Sequence, residues 1–201
     1  VDTLLIETIF DSLNAKAAVY AAMEAMEKVG RQVPLMLSVT VADTGGRTLS
    51  GQTLDAFLAS VQHAPIFSIG LNCSFGAKQL KPFLQQLAIC APYCIGAYPN
   101  AGLPNSLGEY DQTPEDMANE VKEYIEEGLV NIVGGCCGTT EAYIAEFVPM
   151  VEGVKPHVPA SKANYFCLSG LELLEQSEEV KFINVGERCN VAGSRKFLRL
   201  I

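Results

Sequence analysis

The stretch IFSIGLNCSFGAKQLKPFLQQLAICAPYCIGAY, residues 66–98, decides the fold. Two short apolar runs, Ile66–Asn72 and Tyr93–Tyr98, flank a segment in which apolar residues recur with helical spacing, Ala77–Ile89. Continuous apolar runs of this length are typical of strands in parallel sheets, and a helix between two such strands is the usual crossover. The stretch therefore predicts a β-α-β unit.

The same alternation continues on both sides of this unit. Further apolar runs are Thr3–Ile9, Pro34–Val41 and Val130–Val133. Further helical patterns cover four segments: about Leu13–Val29, about Thr53–Gln62, Pro114–Gly128 and Thr140 to near Val151. Ser12 is the predicted N-cap of the first segment, and Thr113 is the predicted N-cap of the third. Five consecutive β-then-α units predict an α/β fold with a parallel sheet, either an open doubly wound sheet or a (β/α)8 TIM barrel. No GxGxxG follows the first strand, which disfavours the dinucleotide-binding form of the open sheet.

The composition excludes several classes of function. Among the 201 residues, 23 are acidic and 14 are Lys or Arg, which gives a net charge of −9, whereas nucleic-acid binding needs a basic surface. Every apolar run ends well before the roughly 18 residues of a membrane span. We therefore expect neither a nucleic acid nor a membrane as a partner. The seven cysteines lack the spacing of a secreted disulfide scaffold, so we expect free thiols in the cytoplasm.

The chain is expected to contain parts of two domains. It starts without Met on a buried-strand pattern, VDTLLIETIF, which predicts a chain that begins inside a domain. After the fifth helix, Val154–Asn164 has two prolines and no periodicity, as is typical of a linker. Phe182–Val185 then predicts a new strand, and a helix is predicted to begin near Ser194. The predicted division is a first domain over residues 1–153, an interdomain linker over 154–178 and the start of a second domain over 179–201.

Three of the seven cysteines directly follow predicted strands, where parallel α/β folds bind their ligands. Cys73 ends the third strand, and Cys136 and Cys137 follow the fifth inside Gly-Gly-Cys-Cys-Gly. Three thiolates at one edge of a barrel would hold a Zn²⁺ ion with a fourth position open, which is the pattern of a catalytic zinc site. The alternatives are small buried thiols or, for the adjacent pair, a vicinal disulfide.

Several motifs raise the expectation of a zinc site through a family resemblance. They are ETIFDSLNAKAA (residues 7–18), GRTLSGQ (46–52), GLNCS (70–74), YPNAGLPN (98–105), GEYD (108–111) and VNIVGGCCGTT (130–140). Together they resemble the homocysteine-binding module of the cobalamin-dependent methionine synthases. The resemblance implies a TIM barrel of which this chain supplies about strands four to eight, with zinc held by Cys73, Cys136 and Cys137.

A second resemblance covers the end of the chain. LSGLE (residues 168–172) and FINVGERCNVAGSRKF (182–197) are similar to the start of the tetrahydrofolate-binding module of the same enzymes. It implies the first β/α unit of a second barrel. The implied folate-binding candidates are Glu187, Asn190, Ser194 and Lys196. An ordinary strand-to-helix loop with caps is the alternative. The family usually has Thr where this chain has Cys189, and a thiol is a weaker hydrogen-bond partner than a hydroxyl.

The resemblance also implies an activity. The homocysteine thiolate, activated on zinc, accepts a methyl group from methylcobalamin bound by another module of the enzyme, and 5-methyltetrahydrofolate is the methyl source. Glu7 is a candidate for binding the homocysteine ammonium group, with a solvated or capping carboxylate as the alternative. Asn72 and Asn100 are candidates for orienting the amino-acid end of the substrate or the cysteine loops, although Asn100 also suits a simple turn. Without three earlier strands, we expect residues 1–201 alone to be poorly soluble or inactive.

Two other functions stay open at this point. A cobalamin-independent homocysteine methyltransferase that uses betaine or S-methylmethionine shares the zinc cysteines, but it should lack the GER-x-N-x-x-GS continuation of residues 186–194. A non-catalytic zinc store or redox sensor should offer a fourth protein ligand close to the three cysteines. The two histidines, His63 and His157, are both interpreted as surface residues.

Overall fold

A computed structural model describes residues 1–162, 166–176, 179, 182–184, 186 and 190–201. Its main sheet has five strands: β1 (Leu4–Ile9), β2 (Leu35–Val39), β3 (Ile66–Gly76), β4 (Cys94–Asn100) and β5 (Ile132–Val133). The strands are parallel and lie in the order in which the chain visits them. All five predicted strands are therefore present, with ends that shift by a few residues.

One layer of helices covers the sheet. It consists of α1 (Ser12–Val29), α2 (Leu54–Val61), α3 (Ala77–Cys90), α4 (Pro114–Glu126) and α5 (Glu141–Phe147), the last continued by a 3-10 turn, Val148–Met150. Each of the helices α1 to α5 contacts the next. A doubly wound sheet reverses its strand order and places helices on both faces, whereas sequential strands with adjacent helices wind in one direction. The fold is thus a partial TIM-barrel-like α/β structure, and the open doubly wound alternative is excluded.

The two faces of the sheet differ in chemistry. Side chains that point toward the helices are apolar and buried, among them Leu37, Ile69 and Ile95. The residues that alternate with them are small or polar, as in Ser38 and Gly96. The helix layer therefore stabilises one face by hydrophobic burial, while the other face presents polar groups toward the inside of the curved sheet.

Side-chain caps mark the N-termini of helices α1 and α4. The Asp11 carboxylate accepts a hydrogen bond from the Asn14 N–H at 2.9 Å, so Asp11 is the N-cap of α1. The prediction of Ser12 as this cap was wrong by one residue, because the helical backbone already includes Ser12. The prediction for α4 is confirmed, since the Thr113 hydroxyl accepts from the Asp116 N–H at 3.2 Å.

A hairpin lies inside the segment that the sequence predicted to be a linker. Its strands, β6 (Cys167–Ser169) and β7 (Leu173–Glu175), are antiparallel and pack against α2. The Gln52 amide donates to the Ser169 hydroxyl and to the Gly170 carbonyl, both at 2.9 Å. Residues 166–176 are consequently attached to the surface of the helix layer, while the predicted boundary between domains stays a prediction.

The prediction of His157 as a surface residue was wrong. Its ring is partly buried, and Nδ1 lies 2.9 Å from the Gly128 carbonyl oxygen. Its main chain donates to the Val130 carbonyl at 3.2 Å and accepts from the Asn131 amide at 2.8 Å. The loop before β5 supplies these partners, which the sequence around His157 does not reveal. His63 is exposed, as predicted.

The last part of the chain contains one further helix among its described residues, α6 (Arg195–Leu198). The Ser194 hydroxyl caps it by accepting from the Phe197 N–H at 3.2 Å, which confirms a helix beginning near Ser194. The predicted strand Phe182–Val185 is not formed at residues 182–184, and Val185 lies outside the described residues. Across the described parts of the chain, no helix is both long and apolar enough to cross a membrane.

Candidate metal centre

Three cysteines meet at the carboxyl-terminal edge of the sheet. The Sγ atoms of Cys73 and Cys137 are 3.7 Å apart, those of Cys136 and Cys137 are 3.9 Å apart, and all three lie within 4.8 Å of one another. All three are free thiols, and a disulfide would need a sulfur–sulfur distance of about 2.05 Å. The vicinal disulfide is therefore excluded. A tetrahedral ion with Zn–S bonds of about 2.3 Å separates its sulfurs by about 3.8 Å, so the donor set fits zinc.

An unusual backbone conformation carries Cys73 to this cluster. Cys73 and Ser74 have φ angles of 64° and 62°, and Thr8 near the end of β1 has a φ of 58°. These are the non-glycine residues with positive φ in the described parts of the chain. The left-handed conformation breaks the regular pairing of β3 with β4 between Asn72 and Gly76. Such a conformation costs of order 1–3 kcal/mol per residue and persists where its surroundings hold it.

Strand β4 positions Cys136 and Cys137 through the backbone. The Cys136 N–H donates to the Pro99 carbonyl at 2.8 Å, and the Ala101 N–H donates to the Cys137 carbonyl at 2.9 Å. The Asn100 side-chain oxygen accepts from the Cys137 N–H at 3.2 Å. Asn100 therefore holds a cysteine loop, which is one of the two roles considered for it from the sequence.

Asn72 connects three strands beneath the cluster. It is fully buried, and its Oδ1 accepts from the Thr8 N–H at 3.1 Å and from the Ser38 hydroxyl at 2.8 Å. Its Nδ2 donates to the Thr8 hydroxyl at 3.0 Å and faces the Cys136 sulfur at 3.8 Å. The Thr8–Asn72 contact spans β2, so the edge of the sheet curves inward here. Asn72 thus supports both the strained Thr8 backbone and a cluster thiol.

Comparison of the sequence with known families gives one match that covers most of the chain. A family model described as homocysteine S-methyltransferase matches residues 1–151. The chain belongs to the homocysteine S-methyltransferase family. The matched residues include all five strands of the parallel sheet and the three clustered cysteines, whereas the β6–β7 hairpin and α6 lie beyond the match.

The surroundings of the cysteine cluster disfavour the ionised form of one of its thiols. The pKa of the Cys136 thiol is raised to about 11, mainly by burial and in addition by the neighbouring thiols of Cys73 and Cys137, against the opposing effect of the Asn72 amide. Without a metal, this thiol keeps its proton at neutral pH. A cation such as zinc binds the thiolate form of a cysteine and replaces its proton, and the three clustered cysteines offer three such ligands.

Tyr110 is a residue beside the cysteine cluster that the sequence analysis did not single out. Its ring packs against Gly138, next to Cys137, and burial and the nearby thiols raise the pKa of Tyr110. It belongs to the GEYD motif, which was used for the family resemblance and not for the site. Its position in the loop after β4 could have indicated this location, because that loop lies at the same edge of the sheet as the cysteines.

Where the structure describes them, the other predicted site residues have roles apart from the cysteine cluster. Glu7 is an exposed residue of β1. The pKa of Tyr98, on the inner side of β4, is raised mainly by the burial of Tyr98 and in addition by the charge of Glu7. Asn190 forms a turn by accepting from the Ala192 N–H at 2.9 Å, and Ser194 is the cap of α6. The remaining two folate candidates are Lys196, which is exposed on α6, and Glu187, which lies outside the described residues.

Proposed function

We propose that this domain binds and activates homocysteine for S-methylation, with Cys73, Cys136 and Cys137 as the ligands of a zinc ion. The observation that carries the proposal is the convergence of three free thiols within 4.8 Å at the ligand-binding edge of a parallel sheet. Methyl transfer to homocysteine is the activity that the family assignment suggests. In the described residues, no further Cys or His joins this cluster, which favours an open catalytic site over a closed zinc store.

The chemistry required is the ionisation of a thiol. A free thiol with a pKa of about 8.5 is mostly protonated at neutral pH and is then a poor nucleophile. Bound zinc supplies a Lewis acid that stabilises the thiolate form of the substrate. Asn72 and Asn100 hold the cysteine loops, and the exposed carboxylate of Glu7 is available on β1 for the substrate ammonium group.

We further propose that the methyl donor is methylcobalamin, with 5-methyltetrahydrofolate as the methyl source and a cobalamin-binding module of the same enzyme as the partner. The GERCNVAGS stretch, residues 186–194, supports this proposal because it resembles the start of a folate-binding module. With this methyl source, we also propose that a second barrel begins near residue 179. Its folate-binding residues are then Glu187, Asn190, Ser194 and Lys196. The cytoplasm is the proposed location, because the site depends on free thiols.

Homocysteine binding is expected to release a proton. The intact protein loaded with one zinc per chain should release about one proton per homocysteine bound, because the substrate thiol ionises on binding. Isothermal titration calorimetry in buffers with different ionisation enthalpies measures this release. Methionine is the control ligand, since its thioether has no proton to lose. A binding enthalpy for homocysteine that is the same in all buffers would contradict the proposal.

The methyl donor can be identified by a direct comparison. We expect the intact protein to form methionine from homocysteine with methylcobalamin, and at least about 100-fold more slowly with betaine or S-methylmethionine, because donor choice depends on a complementary binding surface. The assay follows methionine by mass spectrometry with isotopically labelled methyl groups. Faster transfer from betaine or S-methylmethionine would assign the domain to the cobalamin-independent type and would leave the zinc site itself unaffected.

A further inference from the structure

The inner face of the sheet, next to the cysteine cluster, carries one large side chain among small ones. Strand register aligns Ser38 of β2, Gly70 of β3 and Gly96 of β4 on this face. In the next position toward the carboxyl-terminal edge, Asn72 of β3 pairs with Tyr98 of β4. Bulky side chains usually fill the interior of a TIM barrel, so the small residues at these positions leave space that the Tyr98 ring borders.

Two glycines hold the Tyr98 ring in a defined position. A Cβ atom on Gly96 would lie 2.8 Å from the Tyr98 hydroxyl oxygen and 3.1 Å from Cε2, and one on Gly134 would lie 2.9 Å from Cδ1. Opposite edges of the ring therefore contact the two glycines. Because Gly96 precedes Tyr98 by two residues on β4, the ring extends back along its own strand, and its hydroxyl points away from the carboxyl-terminal edge. In the described part of the chain, this hydroxyl has no hydrogen-bond partner.

The backbone next to Tyr98 is bonded to the cysteine cluster. Its neighbour Pro99 accepts a hydrogen bond from the Cys136 N–H at 2.8 Å, and Gly134, which contacts the ring, precedes Cys136 by two residues. The residue paired with Tyr98 on β3, Asn72, has its Nδ2 3.8 Å from the Cys136 sulfur. Tyr98 and Asn72 thus form the layer of side chains directly below the sulfurs. In this layer the aromatic ring offers apolar surface, whereas the Asn72 amide is occupied by polar partners.

We propose that Tyr98 is a specificity-determining residue of the homocysteine site, and that its ring packs against the methylene groups between the sulfur and the α-carbon of the substrate. This inference rests on the proposed function and deepens it, because it assigns a contact for the aliphatic part of the substrate. Burial of one methylene group corresponds to about a fourfold change in affinity. The ring therefore favours homocysteine, which has two such groups, over cysteine, which has one.

The test compares the affinities of the zinc-loaded intact protein for homocysteine and cysteine by isothermal titration calorimetry. Tyr98→Phe keeps the ring, so the ratio of the two affinities should stay at the wild-type value. Tyr98→Ala removes the ring, and we expect homocysteine to bind about 15-fold more weakly, cysteine about fourfold more weakly and the ratio to fall about fourfold. Tyr98→Leu retains more apolar volume and should lower the ratio about twofold, which provides the measurement if the alanine variant does not fold.

Tyr93→Ala is the matched control. Tyr93 is also a partly buried tyrosine that packs against the core, but it directly precedes β4, at the opposite end of that strand. This variant should leave the affinity ratio unchanged. A wild-type ratio in the zinc-loaded Tyr98→Ala or Tyr98→Leu protein would overturn the inference, and so would an equal weakening of both thiols, which a merely structural role predicts.

The wild type separates this inference from the proposed function. A wild type that binds neither zinc nor homocysteine refutes the proposed function and the role of Tyr98 with it. Normal binding of zinc and homocysteine by the wild type, with an unchanged affinity ratio in the variants, refutes only the role of Tyr98.

Discussion

Replacing Cys136 by alanine is expected to abolish stoichiometric zinc binding and, with it, methionine formation. Cys136 is held by the hydrogen bond of its N–H to the Pro99 carbonyl, and the Asn72 amide lies near its sulfur. Loss of a residue that only supports a ligand costs about 10- to 100-fold in metal affinity, so loss of the ligand itself should exceed about 100-fold. Cys73→Ala and Cys137→Ala should behave in the same way, because each removes one of the three sulfurs.

Metal analysis of the purified variants and competition with a chelator measure this effect. Cys90→Ala is the matched control, since Cys90 is also an exposed free cysteine but lies at the end of α3, and its thiol donates to the Gln86 carbonyl at 3.2 Å. This variant should keep one zinc per chain and full activity. Unchanged zinc content in all three cluster variants would refute the metal site.

Asn72→Ala is expected to reduce both stability and zinc affinity. The substitution leaves the Thr8 N–H and the Ser38 hydroxyl without their buried acceptor, which should lower the free energy of unfolding by about 2–4 kcal/mol. The left-handed Thr8 backbone loses its support, and Cys136 loses the nearby amide. Zinc affinity should therefore fall about 10- to 100-fold, as measured by chelator competition at a temperature where the variant is still folded.

Asn131→Ala separates the two effects. Asn131 directly precedes β5, and its side chain also forms two structural hydrogen bonds, from the Ile95 N–H at 2.8 Å and to the His157 carbonyl at 2.8 Å, but these lie at the opposite edge of the sheet. It should lower the free energy of unfolding by about 1–3 kcal/mol and leave zinc affinity unchanged. If Asn72→Ala loses stability but keeps wild-type zinc affinity, its role is structural only.

Local patterns predicted the elements of the fold. The five apolar runs correspond to the five strands, and the predicted caps Thr113 and Ser194 precede two of the helices. These features depend on neighbouring residues in the sequence, so the sequence alone is sufficient to find them. The sequence could not distinguish a doubly wound sheet from a TIM barrel, because both have the same β-α alternation. The sequential strand order and the single helix layer decided between them.

Contacts between distant residues could not be predicted in this way. Asn72 bonds Thr8 across 64 positions in the chain, and the Gln52 amide bonds the hairpin residue Ser169 across 117. The partner of His157 comes from the loop before β5. In each case a polar group finds a partner that only the packing of strands and helices brings near, and no local pattern encodes it.

The sequence by itself determined the α/β alternation and the placement of Cys73, Cys136 and Cys137 at strand ends, because hydrophobic periodicity and glycine-rich turns act over a few residues. The tertiary structure decided that the three sulfurs lie within 4.8 Å of one another, that the Asn72 amide lies near the Cys136 sulfur and that the Tyr110 ring packs against Gly138. The physical reason is that curvature of the sheet and the left-handed backbone at Cys73 set these distances. Both arise from cooperative packing of the whole domain.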